Sequence, residues 1–293
     1  MERKEQEAIG KARVITHRGL EPSKPNFFSE SSFEAFENHL KRGFSIEFDP
    51  NPTKDGIIVM HDATLKRPTG GRDERPVAEV TTAETTQIPL ANGRIPTFDE
   101  VMDLIRNSDS TISALHLKAR FQTPETLERI MEALSKHSDI FSKFIIFDVK
   151  PDTARTLKKQ FPTIRLAPSV THPYDIARYN DSVGGTLISV EEALALRSKG
   201  LIDGVWGDEW DTQGENGTTK QLYTPEFFEK LHNAGLFVAL VTPELHGTSP
   251  GLYGGESHRD AKDLPTLMAR IKQIKQAGAD YLCTDYPEEV SRL

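Results

Sequence analysis

The feature that most constrains this chain is a regular alternation of short β-type runs with amphipathic helical stretches, the pattern that gives a parallel sheet covered by helices. The runs Arg13–His17, Phe44–Asp49, Thr111–Lys118, Phe144–Val149, Arg165–Ser169, Asp203–Gly207, Leu236–Thr242 and Asp280–Thr284 read as strands. Between them Ser32–Arg42, Phe98–Arg106, Pro124–His137, Asp152–Gln160, Val190–Lys199, Pro225–Ala234 and Leu264–Ala277 read as helices. Several open on Ser, Thr, Asp or Thr-Pro-Glu and several stop at Gly43, Gly200, Gly235 or Gly278, the start and stop chemistry of helices. Over 293 residues this rhythm predicts an α/β fold, a closed (β/α)8 TIM barrel forming one domain over residues 1–293. An open doubly wound sheet competes with it, but no Gly-x-Gly-x-x-Gly turn follows the first strand.

Ile57–Asp62 reads as an additional strand, separated from the second only by Pro50–Gly56. A parallel crossover needs a dozen residues or more, so this pair has to be a small antiparallel β-hairpin inserted after strand two, turning at Lys54-Asp55-Gly56. Counted from Asp55, Asp49 and His61 are equally distant, so the return arm is expected to deliver an imidazole beside a carboxylate.

Composition narrows the partners. Of the residues, 37% are hydrophobic and 27% charged, an ordinary globular balance. No run approaches the length of apolar sequence that spans a bilayer, and the opening Met-Glu-Arg-Lys-Glu-Gln-Glu-Ala is too polar for a secretory signal. The expectation is a cytoplasmic protein without integral membrane association. A formal net charge of −8 argues against nucleic acid as a partner, because sequence-independent binding needs clustered Lys and Arg. The lone cysteine, Cys283, falls in an apolar run and reads as a buried hydrophobe. Nothing in the sequence specifies an oligomeric state.

In a barrel the working groups sit at the C-terminal ends of the strands, and here those ends are polar. Strand one ends in His17-Arg18-Gly19; Glu47 and Asp49, two residues apart on strand two, share a face; His116 and Lys118 do the same on strand three. Asp148, Lys150, Ser169, His172, Asp208, Glu209, Glu244, His246 and Asp285 are further candidates, most of them as well explained by caps or solvated charges. His39, His137 and His232 lie in helical patterns and read as packing or surface residues. Glu47 and Asp49 would repel each other unless a cation or base lies between them, which points to a metal ion or to an ion pair with a neighbouring Arg or Lys.

The segments His17-Arg18-Gly19, Ser29-Glu30-Ser31-Ser32 with Phe33-Glu34-Ala35-Phe36, Ile46-Glu47-Phe48-Asp49, Thr53-Lys54-Asp55-Gly56 and His61-Asp62, in this order and spacing, resemble the signature of the glycerophosphodiester phosphodiesterase family. Ile95-Pro96-Thr97-Phe98-Asp99-Glu100-Val101 and Thr284-Asp285-Tyr286-Pro287 are similar to further motifs of that family. The resemblance implies a barrel phosphoric diester hydrolase acting on a small-molecule phosphodiester. His17 and His61 would be general acid and base, Glu47 and Asp49 would bind one divalent metal ion, and Arg18 and Lys118 would hold the phosphate. An Arg fork and a cation would offset the charge with which a phosphodiester repels nucleophiles, and two imidazoles can take and give a proton at neutral pH.

Two positions depart from the family pattern. Ser29-Glu30-Ser31-Ser32 stands where relatives usually carry Pro-Glu-Asn-Thr, which keeps the acid. His116 stands where a Glu is the usual third metal ligand. Mg or Ca is the ion the resemblance implies, whereas an imidazole shifts the preference towards Mn or Zn. His116 is read as a replacement ligand, as a substrate contact with Asp148 or Glu209 completing the metal shell, or as the mark of a site without metal. Hydrolysis to a phosphomonoester and an alcohol is the leading function. Cleavage that stops at a cyclic phosphate and a non-catalytic barrel that binds a phosphoryl ligand are the alternatives. The long segment Thr242–Asp263 is expected to shape the leaving-group pocket, and Trp206 and Trp210 to offer aromatic faces or to pack beneath it.

Overall fold

The computed structural model describes residues 13–110, 112–243 and 263–293. Thr111, the candidates Glu244 and His246, and residues 244–262 of the segment expected to shape the leaving-group pocket lie outside the described residues. The described chain divides into two compact units, Ile15–Leu166 and, with the strand start at Arg13 and Val14, Ala167–Leu293.

The first unit holds strands β1 (Arg13–Thr16), β2 (Ser45–Phe48), β3 (Pro50–Pro52), β4 (Ile57–Val59), β5 (Ser113–His116), β6 (Phe144–Phe147) and β7 (Arg165–Ala167). In its sheet the order is β7-β6-β5-β2-β1, and the β1–β2, β2–β5 and β5–β6 pairs are all parallel. Helices Phe33–Lys41, Phe98–Arg106, Pro124–Ser135 and Pro151–Gln160 connect them. Each starts where a local signal tells it to. Ser32 accepts a hydrogen bond from the Ala35 amide, Thr97 and Glu100 form a reciprocal capping box, and Pro124 occupies the first turn behind the Thr123 cap. Phe36, Phe98, Val101, Met102, Ile105, Ile130 and Leu134 from these helices close on Phe48, Leu115, Phe144 and Ile146 of the strands to form the core. Most strand positions are buried, apolar ones such as Ile15, Ile46 and Leu115 alternating with polar ones such as Ser45, Glu47 and Ser113.

The hairpin forms where spacing requires it. β3 and β4 pair antiparallel with Asn51 opposite Ile58, and the Thr53 hydroxyl accepts from the Gly56 amide across the turn. The register is one residue off the symmetric expectation: Pro50 faces Val59, and the Met60 amide donates to the Asp49 carbonyl at 3.0 Å. Met60, not His61, therefore lies opposite Asp49. Beyond it Ile58, Met60, Leu65, Val77, Val80, Leu90 and Ile95 pack into a satellite core that anchors residues 60–95.

The second unit holds β8 (Ser169–Thr171), β9 (Leu187–Ile188), β10 (Gly204–Asp208), β11 (Phe237–Val241) and β12 (Tyr281–Thr284), parallel in the order β12-β11-β10-β8-β9. Helices Val190–Ser198, Pro225–Asn233 and Leu264–Ala277 match the expected stretches. The fifth expected strand is split at Pro168, which has no amide to donate but whose carbonyl accepts from Trp206. The two-residue strand β9 and the short helices Thr82–Thr86, Pro173–Tyr179 and Pro287–Ser291 escape the sequence reading because they are too short to establish a period. Parallel strands alternating with helices, with a hairpin after strand two, is the expected (β/α)8-barrel class. Among the described residues no helix is long and apolar enough to cross a membrane.

Candidate active site

All the polar groups singled out on the first three strands gather at the C-terminal ends of β1, β2, β5 and β6, within the first unit. His17, Arg18 and Gly19 form a tight turn after β1. Arg18 sits at φ 51° and Gly19 at φ 67°. A Cβ on Gly19 would lie 3.0 Å from Cβ of Ala35 and 3.3 Å from the Phe36 ring, so the turn packs against its helix only with glycine there. His17 and Arg18 are buried by this packing. The Arg18 amide donates to Glu47 Oε2 at 3.1 Å, and its guanidinium Nε lies 3.9 Å from Asp49 Oδ2.

Glu47 and Asp49 are both buried, and the β2–β5 register brings His116 to them. His116 Nδ1 is 3.0 Å from Asp49 Oδ1 and 4.0 Å from Glu47 Oε1; its Nε2 is 3.3 Å from Asp148 Oδ2, and its ring stacks on Phe147 at 4.5 Å. Lys118 Nζ lies 3.1 Å from Asp49 Oδ1 and donates to the His61 carbonyl, to which Arg120 donates as well at 3.1 Å. The hairpin's return arm thus reaches Asp49 through Lys118.

The electrostatics follow from burial set against these neighbours. Burial and the adjacent Asp49 push the Glu47 carboxyl above its usual range. Asp49 is held well below its own despite burial, because Lys118, His61 and His116 surround it. Burial drives the His61 imidazole down to about 3, against the opposing pull of Asp49, so it is neutral at physiological pH. Burial works in the same direction on His116, but Asp148 and Asp49 outweigh it and raise this imidazole to about 9. Lys118 is lowered to about 8 by burial, with Asp49 resisting.

Ligand atoms of Glu47, Asp49 and His116 all lie within 4.8 Å of one another. Neither oxygen of the buried Asp49 carboxylate accepts a well-aligned hydrogen bond. Two carboxylates and an imidazole whose ligand atoms converge fit a divalent ion. Asp148, left among the weaker candidates, is the outer partner that orients His116; it sits at φ 63° at the end of β6.

Several of the remaining candidates have partners of their own. Glu209 accepts from the Leu222 amide and pairs with Arg270 at 2.9 Å within the second unit. His172 caps a helix by accepting from the Tyr174 amide, and Lys150 sits at the N-cap of Pro151–Gln160. Trp206 is buried as packing, and Trp210 stands against Tyr179 at 5.4 Å. His39, His137 and His232 make helix-side contacts to Glu21, Asp99 and Asp280, as expected. Two residues to which the sequence assigned no role belong with the site. Asp62 accepts from His61 Nδ1 at 2.8 Å, and Arg67 grips Asp62. The His61-Asp62 dipeptide was the available signal.

Solved structures share this fold. A phosphoric diester hydrolase from Parabacteroides distasonis, a glycerophosphoryl diester phosphodiesterase, is 20% identical, with 97% of this chain and 86% of that one covered at a TM-score of 0.63. A phosphodiesterase from Oleispira antarctica, solved in complex with the product sn-glycerol-3-phosphate, is 16% identical with 96% of each chain covered at a TM-score of 0.61. At such identities the likeness is one of fold. No curated protein matches the chain by sequence. The profile of the Glycerophosphoryl diester phosphodiesterase family matches residues 17–289, nearly the whole length, and the chain belongs to that family of phosphoric diester hydrolases.

Proposed function

We propose that this chain hydrolyses a glycerophosphodiester or a related small phosphodiester to a phosphomonoester and an alcohol, with His17 and His61 exchanging the protons. The observation that carries the reading is a half-buried neutral imidazole, His61, beside a cluster of Glu47, Asp49 and His116 and under the cations Arg18 and Lys118. Glu47, Asp49 and His116 would hold one divalent ion, whose charge offsets that of the phosphodiester. Manganese or zinc suits the imidazole better than magnesium or calcium.

Arg18 and Lys118 bind the phosphoryl oxygens, the guanidinium as a fork and the ammonium as a point charge. His61, neutral before substrate enters, takes a proton from the water that attacks phosphorus. The bond from phosphorus to the leaving alcohol breaks, and His17 supplies the proton that the departing oxygen needs. Simple binding of a phosphoryl ligand would need the cations but not this matched pair. The substrate class fits a cytoplasmic role in lipid breakdown.

Turnover of a panel of glycerophosphodiesters after chelation and re-addition of Mg²⁺, Mn²⁺ or Zn²⁺ tests the reading. His17→Ala and His61→Ala should each lower kcat by about a hundredfold or more. Unchanged turnover in both would end the assignment. Phosphorus NMR of the product separates full hydrolysis from cleavage that stops at a cyclic phosphate.

A further inference from the structure

His61 is not held by its own strand. It lies beyond the end of β4, and its imidazole is oriented through Nδ1 by Asp62 at 2.8 Å. Among the described residues Nε2 has no hydrogen-bond partner, which leaves it for the substrate. An adjacent carboxylate alone is a weak guide, because Asp62 is a loop residue whose carboxylate can rotate. Arg67 removes that freedom: Nε donates to Asp62 Oδ2 at 2.7 Å and Nη2 to Asp62 Oδ1 at 2.6 Å, a fork across both oxygens. The same Nη2 also donates to Glu30 Oε1.

Each end of this chain of contacts is pinned independently. Arg67 rides on a short turn whose Leu65 is fully buried in the satellite core, and the buried Thr69 hydroxyl donates to the Leu65 carbonyl at 2.8 Å. Glu30 is flanked by tied backbone. The Ser29 amide donates to the Asn92 carbonyl at 2.8 Å, and the Ser31 amide donates to the Arg18 carbonyl at 2.7 Å. Glu30 is therefore fixed to the turn that carries His17 and Arg18, and Arg67 to the segment that carries His61. With a carboxylate on each side, Arg67 has its charge met within the protein and is not arranged to receive substrate.

We infer that Arg67 and Glu30 are positioning residues for the phosphodiester reaction: the Glu30–Arg67–Asp62 chain fixes the tautomer and angle of His61 and ties it to the turn bearing His17 and Arg18. The role rests on the proposed proton exchange between the two histidines. Neither residue touches the reacting atoms. Both act through Asp62, so removing them costs rate rather than substrate affinity.

The test compares wild type with Arg67→Ala, Arg67→Lys and Glu30→Gln. Arg67→Ala should lower kcat by about ten- to a hundredfold, the usual effect of a misplaced catalytic group, while KM stays within about threefold. Arg67→Lys should not restore the rate, since one ammonium cannot span both Asp62 oxygens and Glu30. Glu30→Gln keeps most of the side chain and should give a smaller loss of kcat, about threefold; it also serves if Arg67→Ala folds poorly. Nitrogen-15 NMR of the His61 ring gives a second readout, with the Nδ1-protonated tautomer dominant in wild type and mixed tautomers in Arg67→Ala. An unchanged kcat, a loss confined to KM, or a lower kcat with the tautomer unaltered would each overturn the inference. If wild type turned over no phosphodiester, the hydrolytic reading would fail, while the ring signals would still decide whether Arg67 fixes His61.

Discussion

His116 makes a measurable prediction about stability. Its imidazole lies between Asp49 at 3.0 Å and Asp148 at 3.3 Å, and these carboxylates raise it from 6.5 to about 9. A rise of that size corresponds to about 3 kcal/mol of preference for the imidazolium in the folded state. Because the folded value lies above the unfolded one, the contribution is fully present below about pH 6.5 and is lost as pH rises through about 9. The perturbation is His116→Gln, which cannot take the proton. Urea unfolding of both proteins in chelator at pH 6, 7.5, 9 and 10 gives the stability difference at each pH. That difference should shrink by about 3 kcal/mol across the range. Lost stacking on Phe147 adds a constant to the difference, independent of pH. Lys118, lowered to about 8, has the opposite sign: its penalty is present below its folded value and disappears as pH rises to the unfolded one. It is present in both proteins and enters the comparison only through Asp49 Oδ1, which it shares with His116, so the same pair measured in a Lys118→Met background isolates the imidazole. A difference that does not vary with pH would refute the argument that Asp49 and Asp148 charge this imidazole.

Further outcomes follow from the same contacts. A divalent ion at Glu47, Asp49 and His116 must displace the imidazolium proton, so Mn²⁺ affinity should rise by about tenfold per pH unit between about 6.5 and 9. Titration calorimetry in buffers of different ionisation heat measures the proton released, and a pH-independent Kd would contradict it. Glu21→Gln should destabilise by about 2–3 kcal/mol, since it breaks a buried fork with Arg42 and leaves that guanidinium short of its partner. The bonds lost are at 2.6 and 2.8 Å, with His39 at 3.2 Å, and chemical denaturation reads the change; less than about 0.5 kcal/mol would count against it. Gly19→Ala should cost about 1–3 kcal/mol, because φ 67° disfavours a side chain and Ala35 stands 3.0 Å from the new Cβ. The displaced turn should lower turnover too, and wild-type stability in this variant would show that the turn can relax.

What could be read from the sequence was what depends on neighbours along the chain. The helix Phe98–Arg106 lies where its pattern places it, because the Thr97–Glu100 box and the apolar stripe are local. That Pro50–Gly56 turns back as a hairpin follows from its length alone, and that Glu47 and Asp49 share a face follows from the period of a strand. The tertiary structure decided everything that spacing leaves free. The hairpin's hydrogen bonds set Met60 rather than His61 opposite Asp49, a one-residue choice that no count from the turn could make. Pairing of β2 with β5 and of β5 with β6 brought His116 between Asp49 and Asp148, where an imidazole replaces a carboxylate as a charged neighbour. Arg67 found Glu30 across 37 positions of chain. Period and capping are short-range properties of a polymer, whereas register, strand order and the company a buried charge keeps are set by how distant segments share one core, and the chemistry of this protein lies in the second set.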